Sequence, residues 1–373
     1  MTAKILYGSQ VSNIRIKMRW RVFYLAMLSY KNPITALKGL GYLLKIRKNV
    51  KGNQVIKKMV LHNGEYYFGA YVPPWNSPYF RDFVINNLNN FKPSRLKANR
   101  FNNIFFAITK KCPLQCAHCF EWDALNKKET LDIEKINKIL TDLEPYGYNQ
   151  LIISGGEPMM KLEWISKILS QVAFKVNCWV FTSGYNWSLE NANKLKKEGL
   201  KGVYISLDHY NKKLHNTFRG NEKSFDWVLA AVQNANKADL LVCFSLCVTK
   251  EMATKEHLEN YMNLAKELGV SFVQFLEPKP VGHFKGKEVL LNTDQIALLE
   301  GFYQMYNTHK SYKEYPIIMY HGFHQRRIGC FNAGYFGLYI NTDGDINACP
   351  FCHSGANIED ISFVVKLNKV IDT

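Results

Sequence analysis

The sequence predicts an α/β protein built around a parallel sheet. Between residues 101 and 290, six apolar segments rich in β-branched and aromatic residues alternate with segments of helical period. This alternation is typical of parallel strands joined by crossover helices. Six strands are too few for a closed eight-stranded barrel of the TIM type.

The predicted elements also indicate where a site should lie. We place strands at 103–109, 150–154, 176–182, 202–207, 240–248 and 271–275. We place helices at 130–143, 161–172, 188–198, 223–236 and 254–268, with Thr130 as the N-cap of the first. Functional side chains of parallel α/β barrels lie at the carboxyl ends of the strands. The residues that follow each strand are therefore the candidates for a site.

Charge divides the chain of 373 residues, whose formal net charge is +17. Residues 1–100 hold 18 Lys and Arg against two acids, Glu65 and Asp82, a net charge of +16. The remaining 30 basic and 29 acidic residues nearly cancel. We therefore predict three parts, a basic α+β module at 1–100, a barrel at 101–290 and a small extension at 291–373.

The basic module contains several local signals. Asn32 and Pro33 predict the start of a helix. The flanks of His62-Asn63-Gly64 predict a hairpin within 55–72, and residues 78–90 a short helix. Apolar and basic residues alternate over 14–21. In the helix, Ile34, Leu37, Gly41 and Leu44 share one face, beside Lys31, Lys38 and Lys45.

Three interpretations of the basic module stay open. It is a small domain packed on the barrel, or its residues 14–48 bind an anionic membrane surface through the basic side chains and through Trp20, Phe23, Tyr24, Tyr30 and Tyr42. Nucleic acid is the third and less favoured partner. No signal peptide and no apolar run long enough to span a membrane is visible. We expect a cytoplasmic protein, held peripherally at the inner membrane face if the second interpretation is right.

Three of the nine cysteines stand together after the first predicted strand. Cys112, Cys116 and Cys119 form a CxxxCxxC array. Three thiolates can bind three irons of a cubane iron–sulfur cluster, and the fourth iron then stays open to a substrate or cofactor. A structural zinc site or a disulfide cluster is the alternative. Cys178, Cys243 and Cys247 lie in apolar strands and are predicted to be buried thiols.

The second predicted strand ends in Gly155-Gly156-Glu157-Pro158. Together the two motifs resemble those of the radical S-adenosylmethionine (radical SAM) superfamily, which has a CxxxCxΦC loop after its first strand and Gly-Gly-Glu-Pro after its second. His118 fills the aromatic position Φ. The resemblance implies a partial (β/α)6 barrel, a 4Fe-4S cluster held by the three cysteines, and SAM as cofactor.

The same resemblance implies a set of SAM contacts at the strand ends. The Gly-Gly-Glu-Pro turn contacts the amino group of the methionine part. Ser206 and Asp208 match a Ser-x-Asp motif that contacts SAM, and Ser183 ends the third strand. Arg219 matches an arginine that pairs with the SAM carboxylate, a task that suits a planar bidentate donor. The implied SAM-binding residues are Gly155, Gly156, Glu157, Pro158, Ser183, Ser206, Asp208 and Arg219.

The extension holds a second group of cysteines, Cys330, Cys349 and Cys352. Thirteen residues separate Cys330 from Gly344, and four separate Gly344 from Cys349. This spacing resembles the opening of the SPASM and twitch extensions, which carry auxiliary iron–sulfur clusters, although the later SPASM cysteines are absent. It implies at most one auxiliary cluster, with His353 or an open position as its fourth site. Zinc or unmetallated thiols are the alternatives. A hairpin turning at Asp343-Gly344 is predicted between the cysteines.

The resemblance implies an oxidoreductase or maturase. At the reduced cluster SAM is cleaved to methionine and a 5′-deoxyadenosyl radical, which abstracts hydrogen from a peptide or another small substrate. An electron donor such as flavodoxin or ferredoxin is expected. The alternatives are radical modification of a membrane-associated lipid-type substrate, and a non-enzymatic iron–sulfur protein for electron transfer.

Overall fold

The computed structural model describes residues 3–52, 55–330 and 337–351, and its amino-terminal part is an α+β unit. Its elements are β1 Lys4–Tyr7, α1 Ser9–Ser29, α2 Pro33–Lys51, β2 Lys58–His62, β3 Glu65–Tyr67 and α3 Pro78–Asn89. The strands form an antiparallel sheet in the order β1-β2-β3.

The local signals of this unit are confirmed. The Asn32 side chain accepts a hydrogen bond from Ile34 N at 2.8 Å and caps α2. Asn63 and Gly64 have positive φ angles of 48° and 78°, as a tight hairpin turn between β2 and β3 requires. The alternating residues 14–21 lie within helix α1.

A second sheet of nine strands forms the body of the protein. Its strands are β4 Phe101–Ala107, β5 Tyr148–Ser154, β6 Asn177–Thr182, β7 Leu200–Ser206, β8 Leu241–Cys247, β9 Phe272–Leu276, β10 Ile317–Tyr320, β11 Gly337–Ile340 and β12 Ile346–Asn347. Its helices are α4 Ile133–Leu143, α5 Leu162–Val172, α6 Leu189–Lys197, α7 Lys212–Arg219, α8 Ser224–Lys237, α9 Lys255–Glu267, α10 Thr293–Thr308 and α11 His321–Ile328. The sheet runs β10-β9-β8-β7-β6-β5-β4-β11-β12, and only the β11–β12 pair is antiparallel.

The α/β prediction is confirmed, and the six predicted strands are β4 to β9. The structure adds β10 beside β9 and β11 beside β4, so the sheet continues into the segment that was predicted as an extension. β10 is only four residues long and gives no readable period in the sequence. The hairpin at Asp343-Gly344 is confirmed, with Gly344 at φ 87°. The division at residues 100 and 290 stays a prediction.

One predicted helix cap is wrong. Asp132, not Thr130, caps α4, because its side chain accepts a hydrogen bond from Lys135 N at 2.8 Å. The Thr130 hydroxyl instead donates to Thr342 O at 3.0 Å, which ties the loop before α4 to the β11–β12 hairpin. A distant acceptor thus competes for a side chain that the sequence favours as a cap.

The two faces of the sheet bury different partners. Successive residues of each strand alternate, so Leu151 and Ile153 pack under the helices while Ile152 lies on the opposite face. On that opposite face, the segment after β3 fills the amino-terminal half. Gln150 Nε2 donates to Ala70 O at 2.7 Å, and the Tyr71 hydroxyl donates to Gln274 Oε1 at 2.7 Å. The part of this face that the segment after β3 does not cover lies toward the carboxyl ends of the strands.

Candidate functional site

The three clustered cysteines lie on the loop that follows β4, at the carboxyl edge of the sheet. Cys116 is buried, while Cys112 and Cys119 are half-buried. The Asn126 side chain accepts from Cys112 N at 2.9 Å and donates to Cys112 O at 3.0 Å. Two further amides, of Gln115 and Ala117, donate to carbonyls at the carboxyl end of α7. The loop is therefore held in place by hydrogen bonds to Asn126 and to α7.

A segment far along the chain completes the wall of this loop. His283 N donates to Cys119 O at 2.9 Å, and His283 Nδ1 lies 2.9 Å from Cys116 O. The Trp122 ring stacks on the His283 ring at a centroid distance of 3.9 Å. A Cβ on Gly282 would lie 2.3 Å from Cys119 O, so only glycine allows this approach. No motif in the sequence marks Gly282, His283 or Asn126 as parts of the site.

The Gly-Gly-Glu-Pro turn after β5 lies directly against the cysteine loop. Gly156 N donates to Thr109 O at 2.7 Å, and Glu157 N donates to Lys111 O at 2.7 Å. A Cβ on Gly156 would lie 2.3 Å from Lys111 O, and one on Gly155 2.8 Å from Thr109 O. The backbone that these glycines allow to approach is therefore that of the cysteine loop.

The Glu157 carboxylate is buried and fully engaged by the protein. It accepts hydrogen bonds from the Thr182 hydroxyl at 2.8 Å, from Ser183 N at 2.7 Å, from the Ser183 hydroxyl at 2.5 Å and from Met159 N at 3.0 Å. Burial raises the pKa of this carboxyl, against the opposing effect of its hydrogen bonds. Glu157 thus joins the ends of β5 and β6, and Pro158 begins the short 3-10 helix that follows.

A buried ion pair joins the end of β7 to the cysteine loop. Arg219 Nε lies 2.6 Å from Asp208 Oδ2, and Arg219 Nη1 donates to Cys116 Sγ at 3.6 Å. Asp208 Oδ1 accepts from Cys247 N at 3.1 Å, and Asp208 N donates to His215 Nδ1 at 3.2 Å. Burial disfavours the Asp208 carboxylate, but Arg219, together with His118, His215 and the Cys247 amide, outweighs this and lowers its pKa.

The predicted site residues thus fall into two contact groups. Arg219 contacts both Asp208 and Cys116, and Glu157 contacts Ser183. Ser206, the last residue of β7, is half-buried two residues before Asp208. Both groups lie where four neighbouring strands end, which is where parallel α/β sheets bind ligands.

Comparison with known proteins identifies this arrangement. A profile of the Radical SAM superfamily matches residues 106–265, which include the cysteine loop, the Gly-Gly-Glu-Pro turn, Asp208 and Arg219. Residues 106–265 are a radical SAM domain. Proteins of this superfamily are enzymes that bind a 4Fe-4S cluster and SAM.

Curated relatives match the radical SAM domain and its surroundings. The AdoMet-dependent heme synthase of Methanosarcina barkeri is 25% identical over 203 residues, which are 54% of this chain and 58% of that protein. The GTP 3′,8-cyclase of Aliarcobacter butzleri is 28% identical over 202 residues, 52% of this chain and 60% of that protein. The chain thus spans about three fifths of the length of these relatives.

Solved structures share the fold at low sequence identity. Streptococcus suis SuiB bound to S-adenosylmethionine has a TM-score of 0.55 and 16% identity, over 72% of this chain and 65% of SuiB. Native anSMEcpe with bound AdoMet has a TM-score of 0.55 and 21% identity, over 72% of this chain and 83% of that chain. These likenesses support the partial-barrel architecture of the radical SAM domain.

The cysteine loop of the radical SAM domain fits a cluster better than a single ion. Within the described residues, no three His, Cys, Asp or Glu side chains stand close enough to hold one metal ion. Cysteines that hold a cubane each bind a different iron and must stand farther apart. Burial, with mutual repulsion of the thiolates, raises the pKa of Cys112 and Cys119 to about 12. A positively charged iron centre would offset that penalty.

The carboxyl-terminal segment also reaches the cysteine loop. Lys110 Nζ contacts Asp343 Oδ1 at 2.5 Å, and the Tyr339 hydroxyl donates to Glu121. Cys330 is exposed after α11, and Cys349 is half-buried after β12. Cys352, the third predicted auxiliary ligand, and His353 lie outside the described residues. The auxiliary cluster stays a prediction.

Proposed function

We propose that this chain is a radical SAM oxidoreductase or maturase that acts on a peptide. The observation that carries the proposal is the contact of three elements at one sheet edge, the cysteine loop, the Gly-Gly-Glu-Pro turn and the Asp208–Arg219 pair. When bound, a reduced 4Fe-4S cluster with SAM supplies a 5′-deoxyadenosyl radical that removes hydrogen from an unactivated C–H bond. The protein supplies binding, orientation and exclusion of water.

Each residue of the site has a role in this proposal. Cys112, Cys116 and Cys119 would hold the cluster. Arg219 contacts both Asp208 and Cys116, so a SAM carboxylate that paired with its guanidinium would be held close to Cys116. The backbone of Gly155, Gly156 and Pro158 would meet the SAM amino group, and the hydroxyls of Ser183 and Ser206 would supply further polar contacts.

Glu157 has a positioning role in the proposal. Its oxygens are already occupied by donors from Met159, Thr182 and Ser183. A buried carboxylate with these partners has little capacity left for a ligand. It fixes the turn that contacts SAM and so acts through the backbone.

The peptide substrate is favoured by the solved relatives. SuiB bound to its precursor peptide SuiA covers 88% of this chain, and anSMEcpe also appears with bound AdoMet and Cp18Cys peptide. The contact of the carboxyl-terminal hairpin with the cysteine loop places a second wall beside the site.

A lipid-type substrate and a non-enzymatic electron-transfer role are the competing interpretations. We place the protein in the cytoplasm, where flavodoxin or ferredoxin would supply the electron.

The test of SAM cleavage uses anaerobically reconstituted full-length protein with dithionite and SAM. We expect 5′-deoxyadenosine by mass spectrometry, and its loss in the Cys112→Ala, Cys116→Ala, Cys119→Ala triple variant. Cys178→Ala is the matched control, because Cys178 is fully buried away from the site. Absence of 5′-deoxyadenosine from wild-type protein that holds about four irons more than the triple variant would refute enzymatic SAM cleavage.

The substrate class needs its own test. A short peptide encoded beside the gene, labelled uniformly with deuterium, should pass deuterium to 5′-deoxyadenosine. Transfer from a labelled lipid fraction and not from the peptide would favour the lipid reading.

The auxiliary cluster is tested in the same triple variant. We propose that Cys330, Cys349 and Cys352 retain about four irons per chain when the first site is removed. Iron near zero, or stoichiometric zinc, would remove the auxiliary cluster from the proposal.

A further inference from the structure

Helices α1 and α2 carry an apolar surface that the rest of the described chain leaves uncovered. On α1 the exposed apolar side chains recur at positions that share one face of a helix. On α2 a second set does the same. The side chains, with exposed fractions, are Ile16 51%, Trp20 68%, Phe23 38%, Tyr24 53%, Ile34 62%, Leu37 57% and Leu44 64%. We call these seven side chains the outer face.

The outer face is not needed to hold the helices in place. The opposite sides of α1 and α2 pack with α3 through a separate core that includes Leu25, Ala26 and Ala36. Tyr30 belongs to this core, since it is 7% exposed and its hydroxyl donates to Leu88 O at 2.8 Å. The sequence-based expectation that Tyr30 would face a membrane is therefore wrong, whereas Trp20, Phe23 and Tyr24 are available.

Unbalanced positive charge surrounds the outer face. Residues 9–51 contain ten Lys and Arg and no acid. In the described part of the chain, no cation of α1 or α2 forms an ion pair with a carboxylate. Burial, with repulsion from Arg47 and Arg19, lowers the pKa of Arg15 to about 10. These cations lie close to one another and have no carboxylate partner among the described residues.

We propose that the outer face docks on an anionic lipid bilayer, with α1 and α2 lying in the plane of the interface. Aliphatic and aromatic side chains would enter the headgroup region while the surrounding Lys and Arg meet lipid phosphates. None of the described helices is long and apolar enough to cross a membrane.

The composition of the outer face decides against other partners. Nucleic acid uses cations and stacking rings but has no place for exposed Ile16, Ile34, Leu37 and Leu44. A second copy of this chain would bring two strongly basic surfaces together, which like-charge repulsion opposes. A bilayer with acidic headgroups satisfies both the apolar and the cationic parts.

The experiment is co-sedimentation of the full-length protein with vesicles of phosphatidylcholine containing phosphatidylglycerol, and with pure phosphatidylcholine. An apolar variant, Trp20→Ser with Leu37→Ser, should lose at least about ten-fold in partitioning to the anionic vesicles. A charge variant, Lys38→Glu with Lys45→Glu, should lose a similar factor. All four side chains are exposed, so the fold should survive, which circular dichroism checks.

Matched controls carry the same changes on the body of the protein. Phe174→Ser alters a side chain that is 72% exposed, and Lys285→Glu with Lys313→Glu reverses two exposed charges. Both controls should sediment like wild type. Trp20→Phe should also sediment like wild type but lose the blue shift of tryptophan emission that anionic vesicles induce.

Two results would overturn the proposal. In the first, wild-type protein stays in the supernatant with anionic vesicles. In the second, the apolar variant binds as tightly as wild type, which would leave a purely electrostatic contact of the kind nucleic acid makes. Because these measurements need neither cluster nor substrate, their failure is separate from a failure of SAM cleavage.

Discussion

Replacing Glu157 with glutamine tests whether this residue holds the fold of the site or contacts the ligand. Glutamine keeps the size of the side chain but turns one acceptor oxygen into a donor nitrogen. Oε2 of Glu157 accepts from both the amide and the hydroxyl of Ser183, at 2.7 and 2.5 Å. The hydroxyls of Ser183 and Thr182 can rotate to accept from an amide NH2 group. Whichever oxygen the nitrogen replaces, one backbone N–H, that of Ser183 or that of Met159, is left buried without an acceptor.

The expected cost follows from these contacts. A hydrogen bond to a charged group contributes about 1.5–3 kcal/mol, and a buried unsatisfied donor costs about 1–3 kcal/mol. Removing the buried charge offsets part of this, because burial already raises the pKa of Glu157. We expect Glu157→Gln to lower the free energy of unfolding by about 2–4 kcal/mol.

The assay is urea unfolding of the reduced apoprotein, with SAM affinity of the reconstituted protein measured in parallel. Ser183→Ala should cost about 1.5–3 kcal/mol, since it removes the hydroxyl that donates to the carboxylate and keeps the amide bond. Glu163→Gln is the matched control, because the same chemical change occurs at a side chain that is 74% exposed. A Glu157→Gln variant as stable as wild type that fails to bind SAM would refute the reasoning and assign the carboxylate to the ligand.

Three further predictions concern the same region. Arg219→Lys should weaken SAM binding, measured by calorimetry on the reconstituted protein, by about ten- to a hundred-fold, because an ammonium cannot replace the planar fork; unchanged affinity would remove the residue from the site. Gly156→Ala should cost about 1–3 kcal/mol of stability in urea, because its Cβ would lie 2.3 Å from Lys111 O; full stability would show that the two loops separate at little cost. Burial lowers the pKa of His215 to about 3, and repulsion from Arg219 adds to the effect. Burial likewise lowers the pKa of His257 to about 4, and repulsion from His209 adds to it. Both imidazoles stay neutral in the folded state, whereas those of the unfolded chain become protonated below about pH 6.5. Their contribution to the free energy of unfolding is therefore complete above that pH and is lost as the pH falls toward 4, by up to about 1.4 kcal/mol per pH unit for each. His257→Gln should flatten the stability profile between pH 6.5 and 4.5, and an unchanged slope would contradict the assignment.

Local pattern determined the fold class and the existence of the site. The strand–helix alternation predicted β4 to β9, because period and turn residues are properties of neighbours in the chain. The spacing of Cys112, Cys116 and Cys119 predicted three thiols on one loop, because residues so close in sequence must also lie close together in space. The same locality explains why Cys178, Cys243 and Cys247, in apolar strands, are confirmed as buried.

Contacts between distant segments were decided only by the tertiary structure. His283 lies more than 160 residues after the cysteine loop that it contacts, and no local period marks it. Glu157 belongs to a motif that is visible in the sequence. Its hydrogen bond from Ser183 forms only because β5 and β6 end side by side in the folded sheet. Trp20 within α1 and Tyr30 directly after it have similar aromatic character, yet Trp20 is exposed and Tyr30 is buried. The hydrophobic period of a helix shows which residues share a face. Whether that face is exposed depends on what packs against it, and only the folded arrangement of α1, α2 and α3 decides this.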